Sequence, residues 1–452
     1  MRALLAGFAV LTLVACGGKN GGDDDDGGGG GDACVGLECQ VVDCAKQSKP
    51  TTTLTGTVYA PNGTLPLFGV NVYVPRETPA PFTEGAQCSR CSDELSGKPI
   101  TVAVTDDAGK FRLEGVPAGA DIPLVITTGK WRRQIVIPKV DECTEAELPS
   151  VDTRLPKNKA EGDIPRIAIT TGSADSMECL PRKLGIDDTE ITNATGGGRI
   201  HLYAGNGVNR FNGTFAGGPN QTFSGAEPFW NSLDTMKTYD IVILSCEGSQ
   251  LTTGTNVATP KTQTALDAMK MYADLGGRVF ASHWHNIWIS GKFEGGVGPP
   301  TPQVWNTIAQ WRNDGSFNGS DRIDETGHGK GMSFASWMMN VGASTTRGEF
   351  PVTQGRLTTT AIDQTKAERW VYRRDGNMNP QMFQFTTPNE DPLMNRCGKV
   401  VFTDMHVSGT IVAGQNYPDS CVGGATNLDL SPQEKALAFM FFDIASCVGP
   451  IF

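Results

Sequence analysis

Six residues carry most of the chemistry this chain offers: Cys246, Ser282, His283, His285, Asp404 and His406. Each follows a short apolar run. Tyr239 to Leu244 leads into Ser245-Cys246-Glu247-Gly248, Arg278 to Ala281 into Ser282-His283-Trp284-His285, and Lys399 to Thr403 into Asp404-Met405-His406. A thiol or hydroxyl beside an imidazole is the equipment of nucleophilic catalysis. Cys246 or Ser282 would attack, His283 or His406 would act as base, and Asp404 would orient it. Asp404 and His406 are two apart in extended chain and point the same way, which makes that orienting contact less natural. His283 and His285 share the same spacing and could both ligate Zn²⁺, with His406 or Asp404 completing the set. Trp284, Trp288 and Trp305 could instead give aromatic surface to a bound ligand. His328, between two glycines, could reach the same place from a loop.

What must position these residues is a sheet. The runs at Arg166–Thr170, Ile200–Tyr203, Tyr239–Leu244, Arg278–Ala281 and Lys399–Thr403 are continuously apolar, as strands buried on both faces are. Between them, Thr262 to Leu275 places Ala265, Met269 and Tyr272 on one helical face and is stopped by Gly276-Gly277. Ser431-Pro432, with Glu434 three positions on, caps a last helix running to about Cys447. Strands alternating with helices make residues 163–452 an α/β domain on a parallel sheet. In such a sheet every strand ends on one edge, where ligands bind. Thr171, Cys246, His283, His285 and His406 should therefore share one cleft.

The segments TYDIVILSCEGS, YADLGGRVFASHWHN and GKVVFTDMHVSG resemble the class I glutamine-amidotransferase-like fold, trehalose-utilisation-type domains included. The resemblance covers roughly half of this domain. It implies an oxyanion loop at Cys246, a nucleophile elbow near Ala281 to His283 and a late-strand histidine at His406. The Gly-x-Cys-x-Gly elbow of that family is absent, and Ser408 stands where its glutamate would follow the histidine, so no glutaminase triad is implied.

Upstream, residues 51–155 change period. Val70, Val72 and Val74 alternate with polar neighbours, as do Ile100, Val102 and Val104. Phe111 and Leu113 follow the turn Asp106-Asp107-Ala108-Gly109, and Leu124–Thr127 and Gln134–Ile137 add strands. This is an all-β sandwich pattern. Gly56-Thr-Val-Tyr59, Gly69-Val-Asn-Val72, Thr105 to Leu113 and Val116-Pro-Ala-Gly119 together resemble the carboxypeptidase regulatory-like, transthyretin-type domain. That family supplies no catalytic residues to carry over. Pro75 to Pro99, with Cys88 and Cys91, is an inserted loop.

Residues 1–15 pair Arg2 with the apolar run Ala3 to Val14 and read as a secretory signal. Leu13-Val-Ala-Cys16 resembles a bacterial lipobox, which implies lipidation of Cys16, a membrane anchor and a place in the cell envelope. No aspartate follows the cysteine, which points to the outer membrane of a Gram-negative cell. Residues 16–50 form a Gly/Asp-rich tether, Asp23 to Asp26 being solvated charge, with Cys34, Cys39 and Cys44 stapling it to the first domain. The formal charge of −11 and the lack of a basic cluster beyond Lys130, Arg132 and Arg133 exclude a nucleic-acid surface. Twelve cysteines in an exported chain imply disulfides, and once Cys16 is set aside an odd number remains to be paired. Cys88-Ser-Arg-Cys91 is read as disulfide-forming and not as half a zinc site.

The reading adopted from sequence is an envelope lipoprotein that binds a glycan, peptide or protein partner at the α/β cleft through Trp284 and Trp288, with no cofactor. Catalysis is left open. The alternatives are a hydrolase or amidase using Cys246 or Ser282 with His283 or His406, and a metal site at His283 and His285.

Overall fold

The computed structural model describes residues 36–250, 261–291, 305, 307–312 and 314–449. The expected signal segment 1–15, the lipidation site Cys16 and the tether as far as residue 35 lie outside the described residues.

The first part of the described chain is two small sheets. Thr53–Thr57 pairs antiparallel with Lys110–Glu114 and parallel with Glu145–Glu147. A second sheet runs in the order Pro99–Val104, Asn71–Pro75, Gly119–Thr128, Trp131–Val140, Gly162–Asp163. Leu54, Val72, Val74, Phe111, Leu113, Leu124 and Ile126 share one core. Gly109 takes φ +74° at the tight turn, where a Cβ would come within 2.7 Å of Pro66. One strand faces the opposite way from its apolar pattern. Val72 stands opposite Ala103, and Tyr73 opposite Val102. Directly paired residues share a face, so the inward face of Pro99–Val104 carries Thr101 and Ala103, and Val102 and Val104 are exposed. The strand is at the sheet's edge, where such an outward row is tolerated.

The second part holds an eleven-stranded sheet. Six strands run parallel in the order Ile191–Asn193, Ile200–Ala204, Ile167–Thr170, Ile241–Leu244, Arg278–Ser282, Gly398–Thr403. The sheet then continues antiparallel through Pro380–Thr387, Ala367–Tyr372, Ser316–Ile323 and Glu349–Arg356. This extension is the main departure from an all-parallel sheet, so the fold is a mixed α/β arrangement with several sheets. The helix Gln263–Asp274 is capped by the Thr262 side chain and buries Ala265, Met269 and Tyr272. The helix Pro432–Ala445 opens on a capping box between Ser431 and Glu434. Among the described residues no helix is long and apolar enough to cross a membrane.

Of two hydrophobic clusters, one spans both parts. Trp131 of the first part lies 5.7 Å from Phe442 and 6.1 Å from Phe441 of the last helix, and Phe68 stacks on Phe439 at 5.7 Å. Two disulfides cross the same boundary. Cys88 joins Cys397 and Cys91 joins Cys447, so the CxxC pair is used as two separate long-range bridges. Cys44–Cys143 ties the segment before the first small sheet to the chain just ahead of Glu145–Glu147, and Cys179–Cys421 joins the 3₁₀ turn Met177–Cys179 to the loop ahead of the last helix. Truncating a buried tryptophan costs about 3–5 kcal/mol. We therefore expect Trp131→Ala to lower stability in urea unfolding by that amount, with sheet and helix signals still lost in one transition.

Candidate functional site

Three neighbouring parallel strands deliver the site. Ile241–Leu244 ends at Ser245-Cys246, Arg278–Ser282 at His283, and Gly398–Thr403 at Asp404-Met405-His406. Their common edge brings Cys246, His283 and His406 into contact, as the sheet argument requires. Cys246 Sγ lies 3.4 Å from His283 Nδ1, and His406 Nε2 lies 3.3 Å from the same nitrogen. The other ring nitrogen, His283 Nε2, is 3.3 Å from Asp314 Oδ1. Asp314 also faces the Arg356 guanidinium at 3.5 Å. Cys246 is the free cysteine among the described residues and is fully buried. Cys246, His283 and His406 are all buried, while beside them Asp314 keeps 24% of its side chain exposed and Trp284 is half-buried.

His283 is held in a strained backbone. Its φ is +39°, at the point where the strand turns into a short 3₁₀ turn and the helix Ile287–Ser290. A non-glycine residue in this region costs about 1–3 kcal/mol and persists only where its surroundings fix it. The electrostatics are polarised. Burial works against a charge on His283, yet the Cys246 sulfur and the Asp314 carboxylate outweigh it and hold the imidazole up at about 9. Burial, with His283 beside it, pushes His406 down to about 3. Burial would raise Asp314, but its contacts with His283 and Arg356 keep it below the usual carboxylate range.

Beneath the cluster sits a second layer that sequence reasoning missed. The buried Asp175 accepts the Ser282 hydroxyl at 2.6 Å, the Val407 amide at 3.0 Å and the Ser408 amide at 2.7 Å. The amides of Ala174 and Asp175 donate to the Cys246 carbonyl. One short segment thus touches all three site loops. Glu178 accepts the Ser245 hydroxyl at 3.1 Å. Asp314 was missed as well. It comes from the antiparallel extension, and Asn313-Asp314-Gly315 signals only a turn.

Several expected roles are corrected by placement. Ser282 gives its hydroxyl proton to Asp175, not to a histidine. Asp404 is consumed by the Thr358 hydroxyl and the Thr359 amide, so Asp314 is the carboxylate that meets an imidazole. His283 and His285 lie in a 3₁₀ turn, where i and i+2 diverge. His285 Nε2 donates to the Ser245 carbonyl at 2.9 Å and its Nδ1 accepts from Trp288 Nε1 at 3.0 Å, leaving no lone pair for a metal. Trp288 and Trp305 are core residues, packed on Trp230 and Phe385 respectively, and offer no surface to a ligand. Trp284 alone of the three is half-buried. His328 packs on Trp370 at 4.2 Å, away from the cluster, and Thr171 bonds the Val208 carbonyl.

No family model matches the chain, and no curated protein matches it. Solved structures similar to it include a ThuA-like protein from Bacteroides uniformis, at 11% identity over 61% of this chain and 90% of that one, TM-score 0.32. A cytoplasmic protein from Salmonella typhimurium matches at 11% identity over 62% of this chain and 99% of that one, TM-score 0.31. A type II cohesin–X-dockerin complex from Acetivibrio cellulolyticus matches at 19% identity over 30% of this chain and 85% of that one, TM-score 0.17. These likenesses are weak, and no property of those proteins is carried over from them.

Two substitutions test the second layer. Asp175→Asn turns an amide group toward donors that now meet a carboxylate, and we expect a loss of about 1–3 kcal/mol in chemical unfolding. Burial pushes Glu178 up to about 8. A carboxyl raised in the folded state stabilises fully below its unfolded value, about 4.3, and that stability is lost as pH rises through about 8. Melting temperatures at pH 6 and pH 9 should therefore fall less in Glu178→Gln than in the native chain.

Proposed function

We propose that this chain is a thiol-dependent hydrolase acting on an acyl substrate, an amide or an ester. Cys246 is the nucleophile, His283 the acid–base group and Asp314 the carboxylate that orients it. The observation that carries this reading is the run of contacts from Cys246 Sγ to His283 Nδ1 and, at ion-pair distance, from His283 Nε2 to Asp314, built on the free cysteine among the described residues. It displaces the binding reading because two of the three tryptophans that reading relied on are buried. The steps balance within the site plus one water. His283 holds the proton of the Cys246 thiol, and the thiolate attacks the carbonyl carbon. The tetrahedral adduct collapses as the leaving amine or alcohol takes the proton from His283. Water, deprotonated by His283, then releases the acid and restores the thiol.

The amidotransferase-like architecture is part of the proposal, with one departure. His283 occupies the strained strand-to-helix turn, the position at which a nucleophile elbow presents its attacking residue. The elbow here would present the base, and the neighbouring loop the nucleophile. The transthyretin-like character of the sandwich and the lipid anchor at Cys16 remain proposals beside it. The four disulfides support an extracytoplasmic setting.

Iodoacetamide labelling of the chelator-treated native chain tests the reading. Cys246 should react faster than an unperturbed thiol at neutral pH. His283→Gln should slow turnover of an activated ester by about 10²–10⁴-fold, and Asp314→Asn by less. Labelling at the ordinary rate, or ester turnover that survives Cys246→Ser, would overturn it.

A further inference from the structure

The line from Cys246 to Asp314 makes no use of His406, although His406 Nε2 points at the same His283 nitrogen that faces the sulfur. A single ring nitrogen has either one proton or one lone pair, so His283 Nδ1 cannot satisfy both neighbours. His406 Nδ1 has no hydrogen-bond partner among the described residues. Three donor atoms (Cys246 Sγ, His283 Nδ1 and His406 Nε2) converge on one buried point, all within 4.8 Å of one another. Two of their separations, 3.4 Å and 3.3 Å, can be set against a metal's demands. Tetrahedral zinc, with nitrogen at about 2.0–2.1 Å and sulfur at about 2.3 Å, spaces its ligands roughly 3.3–3.6 Å apart.

We infer that Cys246, His283 and His406 form a three-ligand site for Zn²⁺, and that the bound ion takes the thiol out of service. One thiolate and two imidazoles suit this borderline ion, and three protein ligands leave a fourth position open. Asp314, 3.3 Å from His283 Nε2 as an ion-pair neighbour, stands where metal-binding histidines commonly keep a carboxylate partner. The three ligands come from three strand ends that Asp175 and the segment before it hold together, so the ion would meet a set already in place. Binding displaces the thiol proton and any proton on His283 Nδ1 to solvent. A sulfur whose lone pair is on zinc cannot attack a carbonyl, so metal-bound and catalytically competent are alternative states of one cluster. The inference rests on the hydrolase reading only for this regulatory consequence.

Cobalt reports the site directly. Co²⁺ titrated into the chelator-treated full chain should bind one to one, with a thiolate-to-cobalt charge-transfer band and tetrahedral visible bands. Zn²⁺ should bleach both and protect Cys246 from iodoacetamide. His406→Gln should weaken cobalt binding by more than the roughly 10–100-fold that loss of an outer partner costs, and Asp314→Asn by about that amount. Absence of the charge-transfer band at stoichiometric cobalt in the native chain would overturn the inference. So would a labelling rate that zinc leaves unchanged. A normal cobalt spectrum with slow labelling of the metal-free chain would instead overturn the hydrolase and leave the metal site standing.

Discussion

One buried carboxylate organises the functional edge of this molecule. Asp175 lies beneath the ends of three parallel strands and accepts a hydroxyl from one loop and two amides from another, while its own backbone and that of Ala174 hold the third. Burial lifts its carboxyl to about 6 against the pull of these donors. Three donors aimed at one carboxylate make the environment of an ion, and each would be left unsatisfied if the acceptor were withdrawn. The cluster above inherits its geometry from this joint. Without it, Cys246, His283 and His406 would sit on three independent loops, and a contact of 3.3–3.4 Å among them would be accidental.

The strain at His283 belongs to the same construction. Its φ of +39° is an unfavourable choice for a histidine, and it is imposed where the strand must turn sharply into a helix. The flanking Ser282 is tied to Asp175, and His285 two residues on is pinned through both ring nitrogens to Ser245 and Trp288. Both neighbours serve the histidine between them. Positions that look like chemistry in the chain are here the clamps that hold the chemistry.

This explains what could be read from sequence and what could not. The parallel strands, the helix caps and the convergence of Cys246, His283 and His406 follow from apolar runs and periodicity, which report burial directly. Roles at Ser282, His285 and Asp404 followed only from residue type and spacing. They failed because a 3₁₀ turn replaced the assumed extended segment, and because Asp404 met Thr358 and Thr359 first. Asp314 and Asp175 were invisible for a different reason. Each acts across a long sequence gap, with no local pattern to mark it, and Asp314 sits in an antiparallel extension that the strand-and-helix rhythm gave no cause to expect. The outward row Val102 and Val104 shows the same limit in the sandwich: alternation predicts two faces, but the pairing register decides which one is buried.

The long bridges set an order of events in the chain's biosynthesis. Cys91 and Cys447 are 356 residues apart and Cys88 and Cys397 are 309 apart, so the early cysteines of both pairs must wait as thiols until almost the whole polypeptide has been made. Cys246 is synthesised during that interval, between reduced partners-to-be and before their proper mates exist. Complete burial is what keeps its sulfur out of thiol–disulfide exchange with them in the folded chain.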